Sequence, residues 1–512
     1  MQYLLGIDLG STSIKTVLHD EHGNAVAKAV RPMRKFYPNA EHPEWTVWEP
    51  DVLWQDVCAA VQELVLAAQK TASAACGECI AGIAVTGMGM DGLPLDETGN
   101  ALYPFISWLD RRTEPQLDWW TKNIGLEKTF SRTGSPMWAI HSALRMLWLK
   151  ENEPAIFQNT FKWLLIEDFI NYKLCRKLAT DYSMASCTML FDLPAKMWSD
   201  ELCNLSGIPK NILPDAEQSG TFLGELTDEA AAATGLTAGT PVFLGGHDHF
   251  CGALPVGVFK PGTVYCITGT WETIELATKQ PALNPALGEA GLMTQAHVAP
   301  DCFMLWGGNP TGETLEWWRN NSNEELVPYQ TLTEQASASP AGSGGVMFLP
   351  HLGGAKCPLP EPAARGAFLG LNQQTNRNDL TRAVFEGLGY QLLDVITAME
   401  NGTGTKTEEI VVVGGSTRNK FWMQNKADML GVNVIVPEID EAVALGAAML
   451  AGIGTGIFKS VEDAYRIVSR RGLAPAFYEP DESKTAFYQE KFLQYQKAFA
   501  ALQFFSQEDK GK

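Results

Sequence analysis

Tyr3-Leu4-Leu5-Gly6-Ile7-Asp8-Leu9-Gly10-Ser11-Thr12-Ser13-Ile14-Lys15 runs from an apolar segment through a turn of small hydroxyl residues into a second, β-branched segment ending near Leu18. A further turn, Glu21-His22-Gly23-Asn24, leads to Ala25-Val26. Apolar runs punctuated by Gly, Ser and Asn predict strands joined by tight turns, so residues 3–30 open a domain as a β-meander. Helical periodicity follows from Asp51 to Ala68, with Leu53, Val57, Ala60, Val61 and Leu64 on one face. Ile80-Ala81-Gly82-Ile83-Ala84-Val85 then predicts a fully buried strand. Strands alternating with helices give an α/β layer architecture.

The opening pattern returns at Gly262-Thr263-Val264-Tyr265-Cys266-Ile267-Thr268-Gly269-Thr270-Trp271-Glu272-Thr273-Ile274-Glu275-Leu276: apolar run, small-residue turn, second strand. This internal echo predicts two similarly built halves facing each other across a cleft. Between them, Ser142 to Leu174 is expected to be mostly helical, and a boundary is expected near Gly245. In the second half, Ile410-Val411-Val412-Val413 predicts a strand that ends in Gly414-Gly415-Ser416 and enters a helix. Residues beyond Gly456 predict a helical tail, Ala486 to Phe504, devoted to packing.

A chain of 512 residues exceeds what one hydrophobic core organises, so two large domains are expected. The formal net charge of -20, with no basic cluster, opposes nucleic acid and anionic lipid as partners. Without a basic leader or an 18-residue apolar stretch, a cytoplasmic protein with no membrane span is expected. The ten cysteines are read as reduced core thiols; the one C-x-x-C pair, Cys76 and Cys79, lacks a second ligand pair for zinc.

Candidate chemistry lies at turns that follow apolar strands. Pro241 to Leu244 runs into Gly245-Gly246-His247-Asp248-His249, where Asp248 is placed either to accept a proton from a hydroxyl nucleophile or merely to cap a helix. The Gly6 to Lys15 turn offers backbone N–H groups to phosphate oxygens and Asp8 to a hydrated Mg²⁺, although a plain hairpin would look similar. It is not a Walker A loop. The Gly269-Thr270 turn supplies the opposing donors that an extended triphosphate needs.

These motifs, with Val413-Gly414-Gly415-Ser416-x-x-Asn419-x-x-Trp422 and the stretch from Gly366 through Asp379 to Glu386, resemble in order those of the FGGY carbohydrate kinases, of the actin-like ATPase superfamily. The resemblance spans about Tyr3 to Gly456. It implies an α/β fold of two actin-like (ribonuclease H-like) domains hinged around a catalytic cleft. Residues 1–245 would bind the sugar, 246–456 would bind ATP, and 457–512 would form a helical tail packed on the second domain. Carried over, Asp248 is the catalytic base and a sugar contact, and Asp8 the magnesium-associated acid. Gly10, Thr12, Lys15, Gly269, Thr270, Gly414, Gly415 and Asn419 border ATP. Met90, Asp91, Trp108, Asp110 and Arg112 match the sugar-contacting segments, while core packing of Trp108 and a surface ion pair at Arg112 stand as the plainer alternatives. Asp91, directly after a buried strand, is expected to face the cleft. Arg145 stands where lysine is common and is read as a surface or packing exchange.

Within the family, Gly82 to Thr86, Met90-Asp91-Gly92, Leu102 to Trp108, Leu147 to Asn152 and Gly269-Thr270-Trp271-Glu272 are most similar to L-fuculokinases. Aspartate at 91 replaces the histidine typical of xylulokinases, whereas Asp110 and His249 depart from the fuculokinase pattern. L-fuculose is therefore the leading substrate, with xylulose, gluconate, erythritol and autoinducer-type substrates left open, as is a homodimer. Two rival readings are a zinc hydrolase on His247-Asp248-His249, with both imidazoles on one face of an extended strand, and a non-catalytic actin-like nucleotide-binding module.

Overall fold

The computed structural model describes residues 2–71, 79–322, 325–470 and 474–507. Tyr3–Leu9, Ser13–Asp20 and Ala25–Pro32 form the expected antiparallel meander, and Ile80–Gly87 and then Pro241–His247 add in parallel beside Tyr3–Leu9. Phe222–Glu225 closes the far edge antiparallel. Residues of the Tyr3–Leu9 strand are buried throughout, as a central strand covered on both faces requires.

The second sheet repeats this plan. Thr263–Thr268, Glu272–Thr278 and Phe303–Asn309 form an antiparallel meander, and Glu409–Gly414 and Asn433–Val436 add in parallel beside Thr263–Thr268. The far-edge strand here is Ala476–Tyr478, paired antiparallel with Asn433–Val436. The tail is thus not purely helical: it completes the second sheet before entering the helix Glu482–Gln507. The stretch from Ser142 is likewise interrupted, by the strand Lys162–Leu165.

Each half has its own apolar core, and a third joins them. That third core is organised by the helix Ala442–Gly454, which packs on Tyr3–Leu9, Ile80–Gly87 and Pro241–His247 of the first sheet and on the helix Asp248–Ala253. Its approach is close because glycines face it. A Cβ on Gly6 would lie 1.9 Å from the Ala444 carbonyl oxygen, and one on Gly446 1.8 Å from that of Cys251. Cys76 lies outside the described residues, and Cys79 is a half-buried free thiol. Among the described residues no helix is long and apolar enough to cross a membrane.

Candidate active site

The strand Pro241–His247 ends where His247 caps the helix Asp248–Ala253, its ring accepting from the His249 amide at 3.3 Å. The chain therefore turns at 248, and the expectation of two imidazoles on one face of an extended strand is corrected: the His247 and His249 rings meet edge-on, 5.1 Å apart. Among the described residues no three His, Cys, Asp or Glu side chains are grouped to hold a metal ion, which removes the geometric basis of a zinc hydrolase.

Asp248 Oδ1 accepts from the His249 amide at 2.8 Å and lies 3.1 Å from His247 Nδ1. Burial would raise its pKa, but His247, His249 and that amide outweigh it, so the carboxyl is held below its ordinary range and stays ionised. His249 turns its other side to the second half, with Nδ1 2.7 Å from Oε1 of the buried Glu275. Burial alone would favour neutral imidazole, yet Glu275 and Asp248 push the pKa up to about 9, making His249 a cation at neutral pH.

Asp8 is the penultimate residue of the Tyr3–Leu9 strand. Burial first, then the charge of Asp248, push its pKa up to about 7 against the opposing pull of Lys15. Lys15 is brought opposite Asp8 by the hairpin register; its Nζ lies 3.9 Å from Asp8 and 3.0 Å from Glu441, at the start of the bridging helix. Gly10 donates to Ser13 across the turn, leaving Thr12 exposed at its tip.

The expected sugar segment is more enclosed than its sequence implies. Asp91 is fully buried and does not face an open cleft: the Trp48 indole donates to Oδ2 at 2.6 Å, and Arg145 stands 3.8 Å from Oδ1. Burial pushes its pKa up to about 6 despite Arg145 and Trp48. Oδ1 itself has no hydrogen-bond partner. Arg145 is no surface exchange; its guanidinium is 0% exposed and donates to the carbonyls of Ile106, Ser107 and Ile140, pinning the loop that leads to Trp108. Asp110 and Arg112 form a fully buried pair rather than a surface one, with Arg112 stacked 4.0 Å over Trp45 and Asp110 also accepting from the Thr46 amide. Trp108 is 38% exposed, so core packing does not account for it. Met90 belongs to a small apolar cluster with Met293, Trp138 and Trp306, and the Trp306 ring lies 6.2 Å from that of His249.

In the second half, Gly269-Thr270-Trp271 is an exposed turn between two strands, closed by the Gly269 amide donating to Trp271. A cavity of about 770 Å³ opens beside it, lined by Thr268, Gly269, Gly415, Asn419 and Tyr329 among others. Thr270 lines an adjoining cavity of about 510 Å³. Gly414, with φ 102°, lies against the Thr268 carbonyl, where a Cβ would come within 2.2 Å. Asn419 caps the helix Lys420–Leu430 through the Trp422 amide.

Sequence reasoning missed Trp48, Glu275, Trp306 and Glu441. Glu275 carried a signal, an acid within an apolar strand; Glu441 carried none, since only the tertiary fold brings it to Lys15.

Residues 3–255 match the N-terminal domain and residues 264–455 the C-terminal domain of the FGGY family of carbohydrate kinases. The chain is 32% identical over 483 residues to a xylulose kinase of Bacillus subtilis, covering 93% of each. It is 30% identical over 470 residues to an L-fuculokinase of Escherichia coli, covering 90% of this chain and 94% of that one. The crystal structure of a xylulose kinase from Rhodospirillum rubrum superposes with a TM-score of 0.88 at 27% identity, covering 99% of this chain and 100% of that one. The duplicated sheets are therefore two actin-like halves, and the chain belongs to the FGGY carbohydrate kinases, ATP-dependent phosphotransferases.

Proposed function

We propose that this kinase transfers the γ-phosphoryl group of ATP to a hydroxyl of a small ketose or deoxysugar, with Asp248 as general base and L-fuculose as the leading substrate. An ionised Asp248 and Asp8 at the C-terminal ends of Pro241–His247 and Tyr3–Leu9, parallel strands of one sheet with only Ile80–Gly87 between them, carry the reading. The 770 Å³ cavity has the size and glycine-lined wall that adenosine requires, with the Gly269-Thr270 and Gly10-Ser11-Thr12 turns offering donors to the phosphates. The division of labour assigns the sugar to residues 1–245 and ATP to residues 246–456.

Phosphoryl transfer asks the protein for positioning, charge neutralisation and a proton acceptor. Asp248 supplies the acceptor, and its ionised state is maintained by His247 and His249. The repulsion between the Asp8 and Asp248 carboxylates fits a divalent cation at this place, and Asp8 would hold a hydrated magnesium ion there. When bound, that ion would neutralise phosphate charge and relieve the repulsion. Asp91, with one unsatisfied buried oxygen, would engage sugar hydroxyls only if the loops around Trp48 and Trp108 part. Asp110 acts through Arg112, shaping the same loop.

A panel of ketoses, deoxysugars and polyols in an ATP-consumption assay tests the function. L-fuculose is expected to exceed D-xylulose and glycerol; a preference for D-xylulose would overturn the sugar and leave the kinase. Asp248→Asn should bind both substrates and lose about 10²- to 10⁴-fold in turnover, the usual scale for a missing general base. Near wild-type turnover would remove Asp248 from that role.

A further inference from the structure

Glu272 follows the Gly269-Thr270-Trp271 turn directly, and its carboxylate forms an ion pair with Lys426 of the helix Lys420–Leu430; the two side chains are 2% and 1% exposed. The Lys426 ammonium also lies 5.3 Å over the Trp422 ring. Trp422 is tied by its amide to Asn419, and both line the 770 Å³ cavity, as do Thr268 and Gly269 from the hairpin that the ion pair joins to this helix. One ion pair thus joins the strand that carries the phosphate turn to the helix that carries the other wall. Above it, Ser416 and Thr268 hydroxyls meet, and Thr268 donates to the Val413 carbonyl.

A buried pair is a poor way to stabilise a core, because desolvation of both charges offsets much of their attraction and apolar residues of similar volume often do as well. What such a pair supplies is a fixed separation and direction between the elements that carry it. We propose that Glu272 and Lys426 are positioning residues for ATP, setting the spacing between the phosphate turn and the Asn419–Trp422 wall without touching the nucleotide. This rests on ATP occupying the 770 Å³ cavity.

The test compares KM for ATP with KM for the best sugar. Single removals, Lys426→Met or Glu272→Gln, strand a buried charge and are expected to lower stability, so the informative variants are the apolar double Glu272→Leu/Lys426→Met and the charge-preserving Lys426→Arg and Glu272→Asp. Each folded variant should raise KM for ATP by about tenfold or more, on the scale of small misplacements of binding groups, and change KM for the sugar less than about twofold. A merely structural pair would move both constants together or neither; either result in the folded variants overturns the proposal. Thr270→Ala and Asn419→Ala serve as controls in the same assay. If these leave KM for ATP unchanged, the cavity assignment fails; if they raise it while the pair variants do not, only the positioning role fails.

Discussion

Asp8 and Asp248 place two carboxylates where each disfavours the other's charge, and the structure relieves the two differently. Asp248 has imidazoles beside it; Asp8 is left with a pKa of about 7 by burial and by Asp248. A carboxyl raised in the folded state makes folding less favourable as pH rises from about 4 through about 7, because the folded protein must give up a proton it holds more tightly than the unfolded chain does. Asp8→Asn should therefore raise the thermal midpoint at pH 8 while depressing turnover and raising the magnesium requirement, a trade of activity for stability; an unchanged magnesium titration would make Asp8 a structural residue. His249 has the opposite sign. Its pKa is raised to about 9, so its contribution is complete below about 6.5 and fades as pH rises through 9. Glu275→Gln should lower the unfolding midpoint most near pH 6 to 6.5, with the difference from wild type narrowing as pH rises through 9. Asp91 calls for a gentle substitution: Asp91→Asn keeps an acceptor for Trp48, whereas Asp91→Ala leaves Arg145 without its nearest carboxylate and should cost about 3 kcal/mol of stability. If Asp91 bonds the sugar, Asp91→Asn loses about one to two decades in kcat/KM for sugar and keeps ATP binding, since a hydrogen bond to a charged group is worth roughly 1.5–3 kcal/mol. The residue types at 8, 91 and 248 were readable from strand-end position. The burial of Asp8 and Asp91 was not, because Trp48, Arg145 and Glu441 reach them from distant segments.

Glycines at the level of elements separate packing from binding. Gly446 and Gly6 let the helix Ala442–Gly454 touch backbone on both sides, so Gly446→Ala should cost about 1–3 kcal/mol in thermal unfolding, and more if the helices cannot part. Gly415 is the counterpart: a Cβ there meets nothing within 4 Å, yet the residue lines the 770 Å³ cavity. Gly415→Ala should leave the melting temperature unchanged and raise KM for ATP; a lowered melting temperature with unchanged KM would reverse the assignment. The meander, the first long helix and the Glu409–Gly414 strand were legible because their periodicity is long and their turns carry Gly, Ser and Thr. Lys162–Leu165 was hidden in a helical run, and Ala476–Tyr478 is only three residues of largely exposed backbone with no burial pattern to announce it.

At the scale of the molecule, the repeated turn motif was a faint sign of a duplication that extends to strand order, parallel pairing and the antiparallel far edge of both sheets. That far edge in the second half comes from the tail, so removal of residues beyond 470 should destabilise the second half more than loss of the helix alone would. The bridging helix has a consequence for synthesis. The first sheet has all its strands once His247 has emerged, but Leu4, Ala84 and Phe243 lie in the core shared with Ala442–Gly454. Translation at about 5–20 residues per second delivers that helix roughly ten to forty seconds later. During this interval the nascent chain presents an apolar sheet face with its cover still unmade. A fragment of residues 1–255 should accordingly bind a hydrophobic dye and aggregate; co-expression of the remainder should restore solubility, whereas adding the remainder after separate expression should not.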